Sequence, residues 1–221
     1  MTELVLAILF FVASHGIPAF KPIRRGIVGR IGERPYLILY SCLSLGAIWW
    51  LAVAYGNATY VELWPFLPEA RWVPVLVMPV SCVLLVAGVG SPNPLSIQFI
   101  HRPFDPARPG IVSLTRHPLI WAFITWAGAH LVPNGDAASV LLFGVLLVLS
   151  VAGLFSLDTK ARAALGEADW TRLAGRFPMF PGTRRIDGAG IGFWRILGGL
   201  ALYLALLFGH EVVIGISPFP L

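Results

Sequence analysis

Six apolar runs of near-membrane length, near residues 3–20, 36–56, 73–90, 117–133, 137–157 and 194–215, frame this 221-residue chain. Five approach or reach the roughly 20 apolar residues that a helix needs to cross about 30 Å of hydrocarbon. The fourth is shorter and opens on Pro118, where a missing N–H costs nothing because the first helical turn has no acceptor for it. Hydrophobic residues make up 57% of the chain and charged ones only 12%, against about 25% charged in soluble domains. The pattern predicts an all-α fold: a polytopic membrane helical bundle of about six transmembrane helices plus an amphipathic cytoplasmic helix, forming one domain over residues 1–221. The lipid bilayer is its first partner.

The net charge of +5 does not point to nucleic acid, because the basic residues lie between the apolar runs rather than on one amphipathic face. Lys21, Arg24, Arg25, Arg30 and Arg34 follow the first run. Arg102, Arg108 and Arg116 follow the third, and Lys160, Arg162, Arg172, Arg176, Arg184 and Arg185 follow the fifth, with Arg195 at the mouth of the sixth. That places fifteen of the sixteen Lys and Arg in alternate gaps and leaves Arg71 for the other side. The positive-inside rule puts those gaps in the cytoplasm, and six spans then leave both termini outside. The start, Met1-Thr2-Glu3, lacks the basic region of a signal peptide, so the first run is expected to stay.

Between the runs, Ser91-Pro92-Asn93-Pro94 and Arg102-Pro103-Phe104-Asp105-Pro106 read as loops or turns. Gly26, Gly29 and Gly32 read as turns in a basic loop. The polar stretch from Asp158 to Arg185 carries a helical pattern, with Ala163, Ala164, Leu165, Trp170, Leu173 and Phe177 opposite its charges. It suits a helix lying in the cytoplasmic interface or packed on the bundle. Cys42 and Cys82 both fall in apolar runs, read as small buried residues, and offer neither a disulfide framework nor a Cys-x-x-Cys metal motif.

Chemistry is expected from the histidines. His15, His130 and His210 fall in apolar runs and His117 stands at the mouth of the fourth. Ionisable groups at membrane depth cost about 2.5–3.5 kcal/mol or more, so they mark candidate sites. Neutral imidazole ligates iron, and paired axial histidines hold haem, whose propionates suit Arg24, Arg25, Arg30 and Arg116 at the membrane face. His117 and His130 are separated by roughly 20 Å along one helix. Depth alone therefore matches His15 with His117 and His130 with His210. Asp158 can orient an imidazole or pair with Arg116, and Thr115 or Ser113 can cap the fourth helix.

The stretches Ala13-Ser14-His15-Gly16, Gly32-Glu33-Arg34, Leu114-Thr115-Arg116-His117-Pro118 and Trp126-Ala127-Gly128-Ala129-His130 resemble the NnrU family, which takes in plant 15-cis-zeta-carotene isomerase. The resemblance covers most of residues 1–160. It implies a multi-pass membrane protein, linked in bacteria to nitrite and nitric oxide metabolism and denitrification, and so a bacterial inner membrane. In the isomerase branch, a haem b iron ligated by two histidines performs a cis-to-trans isomerisation in carotenoid biosynthesis without net redox change. The positions matching those metal ligands are His15 and His130, which the resemblance ranks first as catalytic and metal residues. His117 is the competing ligand, with Arg116 as a further cofactor-binding residue. This chain has Ala127 where that branch has a cysteine able to exchange with a ligand.

Residues 110–181 also resemble the C-terminal half of the isoprenylcysteine and phospholipid methyltransferases, through Arg116-His117-Pro118, Leu165-Gly166, Trp170 and Phe177-Pro178-Met179-Phe180-Pro181. In those enzymes the Arg-His-Pro turn helps enclose S-adenosylmethionine, although the acidic pair usual before the following helix is absent here. Three functions are therefore weighed: a haem-dependent isomerase or redox enzyme acting on a hydrophobic small molecule or a nitrogen oxide, a membrane methyltransferase, and a non-catalytic accessory protein of denitrification.

Overall fold

A computed structural model describes residues 1–16, 21–183 and 190–220. The described residues form eight α-helices: α1 (Thr2–Gly16), α2 (Lys21–Ile31), α3 (Glu33–Gly56), α4 (Trp72–Val89), α5 (Pro118–Leu131), α6 (Ala137–Leu165), α7 (Glu167–Arg176) and α8 (Phe193–Ile214). Short 3-10 turns at Pro68–Arg71 and Gly110–Ser113 precede α4 and α5. The helical membrane bundle expected from the apolar runs is the observed architecture. Four helices, α3, α4 with its preceding turn, α6 and α8, are long and apolar enough to cross a bilayer. α1 and α5 are apolar but shorter, at 15 and 14 residues, so each reaches only about 21–22 Å. Large side chains such as Val212, Trp194 and Leu76 stand exposed on these helices, as lipid-facing walls require.

The chain divides into two compact units, Met1–Pro65 with Gly135–Val145, and Phe66–Asn134 with Leu146–Leu221. In the first, α1 runs antiparallel to α3: Trp50 Nε1 donates to Glu3 at 3.3 Å near one end, and the His15 and Tyr40 rings lie 6.3 Å apart near the other. Leu4, Ala7 and Ile8, on one face of α1, pack into a core with Leu51, Ala54 and Ala138. The loop after α3 pairs with the turn before α6, where Leu63 N–H and Ala137 N–H donate to the Gly135 and Val61 carbonyls at 2.8 Å each.

Residues 21–31, expected as a loop, form α2, with Gly26 and Gly29 inside it. Pro22 sits in the first turn, where proline is tolerated, and the break is delayed to Gly32 at φ +86°, a backbone state open mainly to glycine. Arg24 of α2 pairs with Glu33 at the start of α3. Cys42 is exposed and only Cys82 is buried, since the side of α3 that carries Cys42 is left uncovered.

In the second unit α4 lies between α5 and α8 and runs antiparallel to both. Ser81 Oγ donates to the Ala122 carbonyl at 2.7 Å, and Tyr203 Oη to the Val75 carbonyl at 2.9 Å. Gly199 brings α8 so close to α4 that a Cβ there would lie 2.6 Å from Val83 Cα. The pattern expected over 163–177 is divided in the structure: Ala163, Ala164 and Leu165 finish α6, Gly166 at φ +80° breaks the helix, and α7 begins. Leu173 and Phe177 are buried among Leu84, Ala87, Leu95, Ile111, Val112 and Ala122. The apolar face of α7 therefore packs on the bundle.

Candidate functional site

Proline at 118 pushes the residue before it out of the helical region, and His117 stands at φ −122°, ψ 56° as the residue that precedes α5. No side chain caps α5. Thr115, expected as a cap, instead accepts from His117 N–H at 3.2 Å and donates to the Met179 carbonyl at 2.8 Å. The Thr115-Arg116-His117 turn thus becomes a node joining several segments of the second unit.

Asp158, near the C-terminal end of α6, closes that node. Arg116 Nε donates to Asp158 Oδ1 at 2.8 Å, and a second guanidinium nitrogen pairs with Oδ2. The third donates to the Phe177 carbonyl at 3.0 Å. His117 Nε2 lies 2.9 Å from Asp158 Oδ1 and its Nδ1 lies 3.0 Å from Ser96 Oγ. With the carboxylate as acceptor, Nε2 carries the proton and Nδ1 accepts from the Ser96 hydroxyl. Side-chain exposures are 9% for Arg116, 14% for Asp158 and 0% for His117. The Arg116 backbone is also held, its N–H donating to the Pro178 carbonyl at 2.8 Å and its carbonyl accepting from Asn93 Nδ2 at 2.9 Å. Trp121 Nε1 joins Thr115 at the Met179 carbonyl, at 2.9 Å.

Both roles anticipated for Asp158, pairing with Arg116 and orienting an imidazole, are therefore filled at once. Sequence reasoning missed Asn93, Ser96 and the carbonyls of residues 177–179. An asparagine bracketed by Pro92 and Pro94 was a signal, because a buried amide in a rigid loop needs specific partners.

His15 and His130 share a different arrangement. His15, in the first unit, has Nδ1 at 2.8 Å from the Phe11 carbonyl one turn back, with Ser14 Oγ at 3.3 Å. Its ring packs on Phe11, with centroids 4.1 Å apart, and is exposed at the surface of α1. Nε2 makes no hydrogen bond among the described residues. His130, in the second unit, repeats the tether, with Nδ1 at 2.8 Å from the Trp126 carbonyl. Donation from Nδ1 fixes the tautomer that carries its lone pair on Nε2, the form in which a histidine binds a metal. His210 Nδ1 lies 2.7 Å from the Ile216 carbonyl. Among the described residues no three His, Cys, Asp or Glu side chains gather as a metal cluster.

The arrangement separates two chemistries. The Arg116 node is a closed network in which every nitrogen of both side chains already has a protein partner. His15 and His130 are instead each tethered through Nδ1 to the carbonyl one turn back. A family model described as NnrU protein matches residues 3–218. No curated protein and no solved structure matches the chain.

Proposed function

The chain belongs to the NnrU family, and from that membership we propose that this integral membrane protein holds haem b through His15 and His130. The observation that supports the reading is the shared tether: in each residue Nδ1 lies 2.8 Å from the carbonyl four residues earlier, which orients the imidazole on its helix. An imidazole oriented in this way fits an axial ligand. Arg25 and Arg30 of α2, which have no ion-pair partner among the described residues, suit the propionates better than Arg116, whose charge Asp158 already balances. Bound haem would supply Lewis-acid or one-electron chemistry to a lipid-soluble polyene, in a cis-to-trans isomerisation, or to a nitrogen oxide. The chain's own part is to orient the two imidazoles and to shield the reacting centre with apolar walls. We place the protein in a bacterial inner membrane with both termini outside, on the charge asymmetry of its loops.

The test is spectroscopic. Protein purified in detergent and supplied with haem b is expected to show a Soret band of a bis-histidine type, lost in His15→Ala and in His130→Ala and kept in His117→Ala. A wild-type protein that takes up no haem, or a band indifferent to both substitutions, overturns the reading and leaves a non-catalytic accessory role. The methyltransferase alternative has no specific support in the geometry, because the Arg-His-Pro turn on which it rests is engaged throughout with the protein's own groups.

A further inference from the structure

A second polar site lies away from the histidines, in the second unit, where the loop after α4, the loop before the Gly110–Ser113 turn and the start of α8 meet. They enclose a cavity of about 120 Å³ whose walls include Ser91, Asp105, Arg108, Gly110 and Arg195. A single water needs roughly 10–15 Å³, so the space has room for a polyatomic group.

Its chemistry is cationic and incompletely satisfied. Ser91 is 4% exposed, yet its hydroxyl has no hydrogen-bond partner. A buried polar group left unpaired costs free energy that folding would ordinarily avoid. The Arg108 side chain is exposed and has no hydrogen bond or ion pair among the described residues, so its charge is available to a ligand. Arg195 donates only to carbonyls, reaching Gly90 at 2.8 and 3.2 Å and Ile191 at 3.1 Å, so no carboxylate neutralises it. Asp105 is the acidic residue of the wall. Its Oδ1 accepts from Ala107 N–H at 2.8 Å in its own loop, and it pairs with neither arginine. Among the described residues of the wall, two guanidinium charges stand against one carboxylate, a positive balance. Its donors come from three separate segments, and guanidinium groups pair well with the oxygens of a phosphate. Gly110, at φ +60°, packs so tightly on Gly190 that a Cβ would lie 2.9 Å from that carbonyl oxygen, so the wall is built by close backbone contact.

We propose that the cavity lined by Ser91, Arg108 and Arg195 binds a phosphate group, carried either on a phosphomonoester lipid headgroup or on free inorganic phosphate. Arg108 and Arg195 supply the charge and the Ser91 hydroxyl donates to one oxygen. The site stands independently of any haem.

Full-length protein in detergent is titrated with inorganic phosphate, and in phosphatidylcholine nanodiscs with and without phosphatidic acid, following the thermal unfolding midpoint. At least one of the two probes is expected to raise the wild-type midpoint in a saturable way. Lipid alone identifies the headgroup as the source, and inorganic phosphate alone a soluble one. Arg108→Gln, which breaks no hydrogen bond or ion pair among the described residues, should weaken binding about tenfold, as loss of a charge-assisted hydrogen bond does. Ser91→Ala should weaken it about fivefold without lowering the unliganded midpoint, because it removes a hydroxyl that had no partner. Arg102→Gln, outside the cavity, should change nothing. The proposal fails if neither probe acts on the wild type, if binding survives Arg108→Gln and Ser91→Ala undiminished, or if Arg102→Gln weakens it equally.

Discussion

Arg116 is a cation buried at the start of a membrane helix, and its tolerance depends on one carboxylate 42 residues away. Charges removed from water are strongly penalised unless paired, and breaking a buried pair from one side leaves the other charge uncompensated. Asp158→Ala strands Arg116 and takes the Nε2 partner from His117 together. The expected cost is about 3–5 kcal/mol, read as a lowered midpoint in detergent-based unfolding. The double variant Arg116→Met with Asp158→Leu should recover part of that loss, because it removes the stranded charge while His117 Nε2 and the Phe177 carbonyl still lack their partners. A double variant no better than Asp158→Ala would show that the carbonyl contacts of Arg116, rather than its charge pairing, hold the node.

Helix contacts in the second unit are controlled by where glycine permits close approach. In an exposed helix interior, Gly→Ala gains about 1 kcal/mol from backbone entropy and helix propensity. At Gly209 of α8 nothing lies within 4 Å of an added Cβ, so Gly209→Ala should raise stability by up to that amount. At Gly199, ten residues earlier on the same helix, the Cβ would meet the Val83 backbone. Gly199→Ala should therefore lower stability by about 1–3 kcal/mol, as overpacking does. Thermal unfolding of the two variants checks the opposite signs, and equal shifts would mean that α8 does not pack on α4 through Gly199. The same element-scale physics explains α2: the glycines read as turns sit inside a helix because a single glycine weakens a helix without ending it, and only Gly32 takes the left-handed state.

For the whole molecule, each unit gives its own account of chain direction. In the first, Glu3, the loop after α3 and the turn before α6 share one end through the Trp50, Leu63 and Ala137 hydrogen bonds. In the second, Arg71 at the start of α4 donates to the Phe219 carbonyl at 3.1 Å, so the start of α4 and the segment after α8 share an end. Both agree with an alternating path in which the short helices α1 and α5 also count as crossings. Single cysteines introduced into a Cys42→Ser, Cys82→Ala background test it with a membrane-impermeant maleimide on intact cells. Thr2→Cys and Tyr60→Cys should label at once, and Arg172→Cys only after lysis. Labelling of Arg172→Cys in intact cells would reverse the orientation.

The membrane class, the approximate helix count and the placing of bases in alternate gaps were legible in the sequence, because hydropathy runs and loop charges act locally or through the bilayer and need no knowledge of neighbours. The four histidines worth watching were legible for the same reason, since an ionisable group in an apolar run stands out against its surroundings. Which of them would be tied up was not. His117 is saturated by Asp158 and Ser96, whereas His15 and His130 are tethered within their own helices, and no periodicity distinguishes the two cases. The tertiary structure decided it, because a buried charge or imidazole is satisfied by whichever polar group packing brings within about 3 Å, and that partner can lie anywhere along the chain.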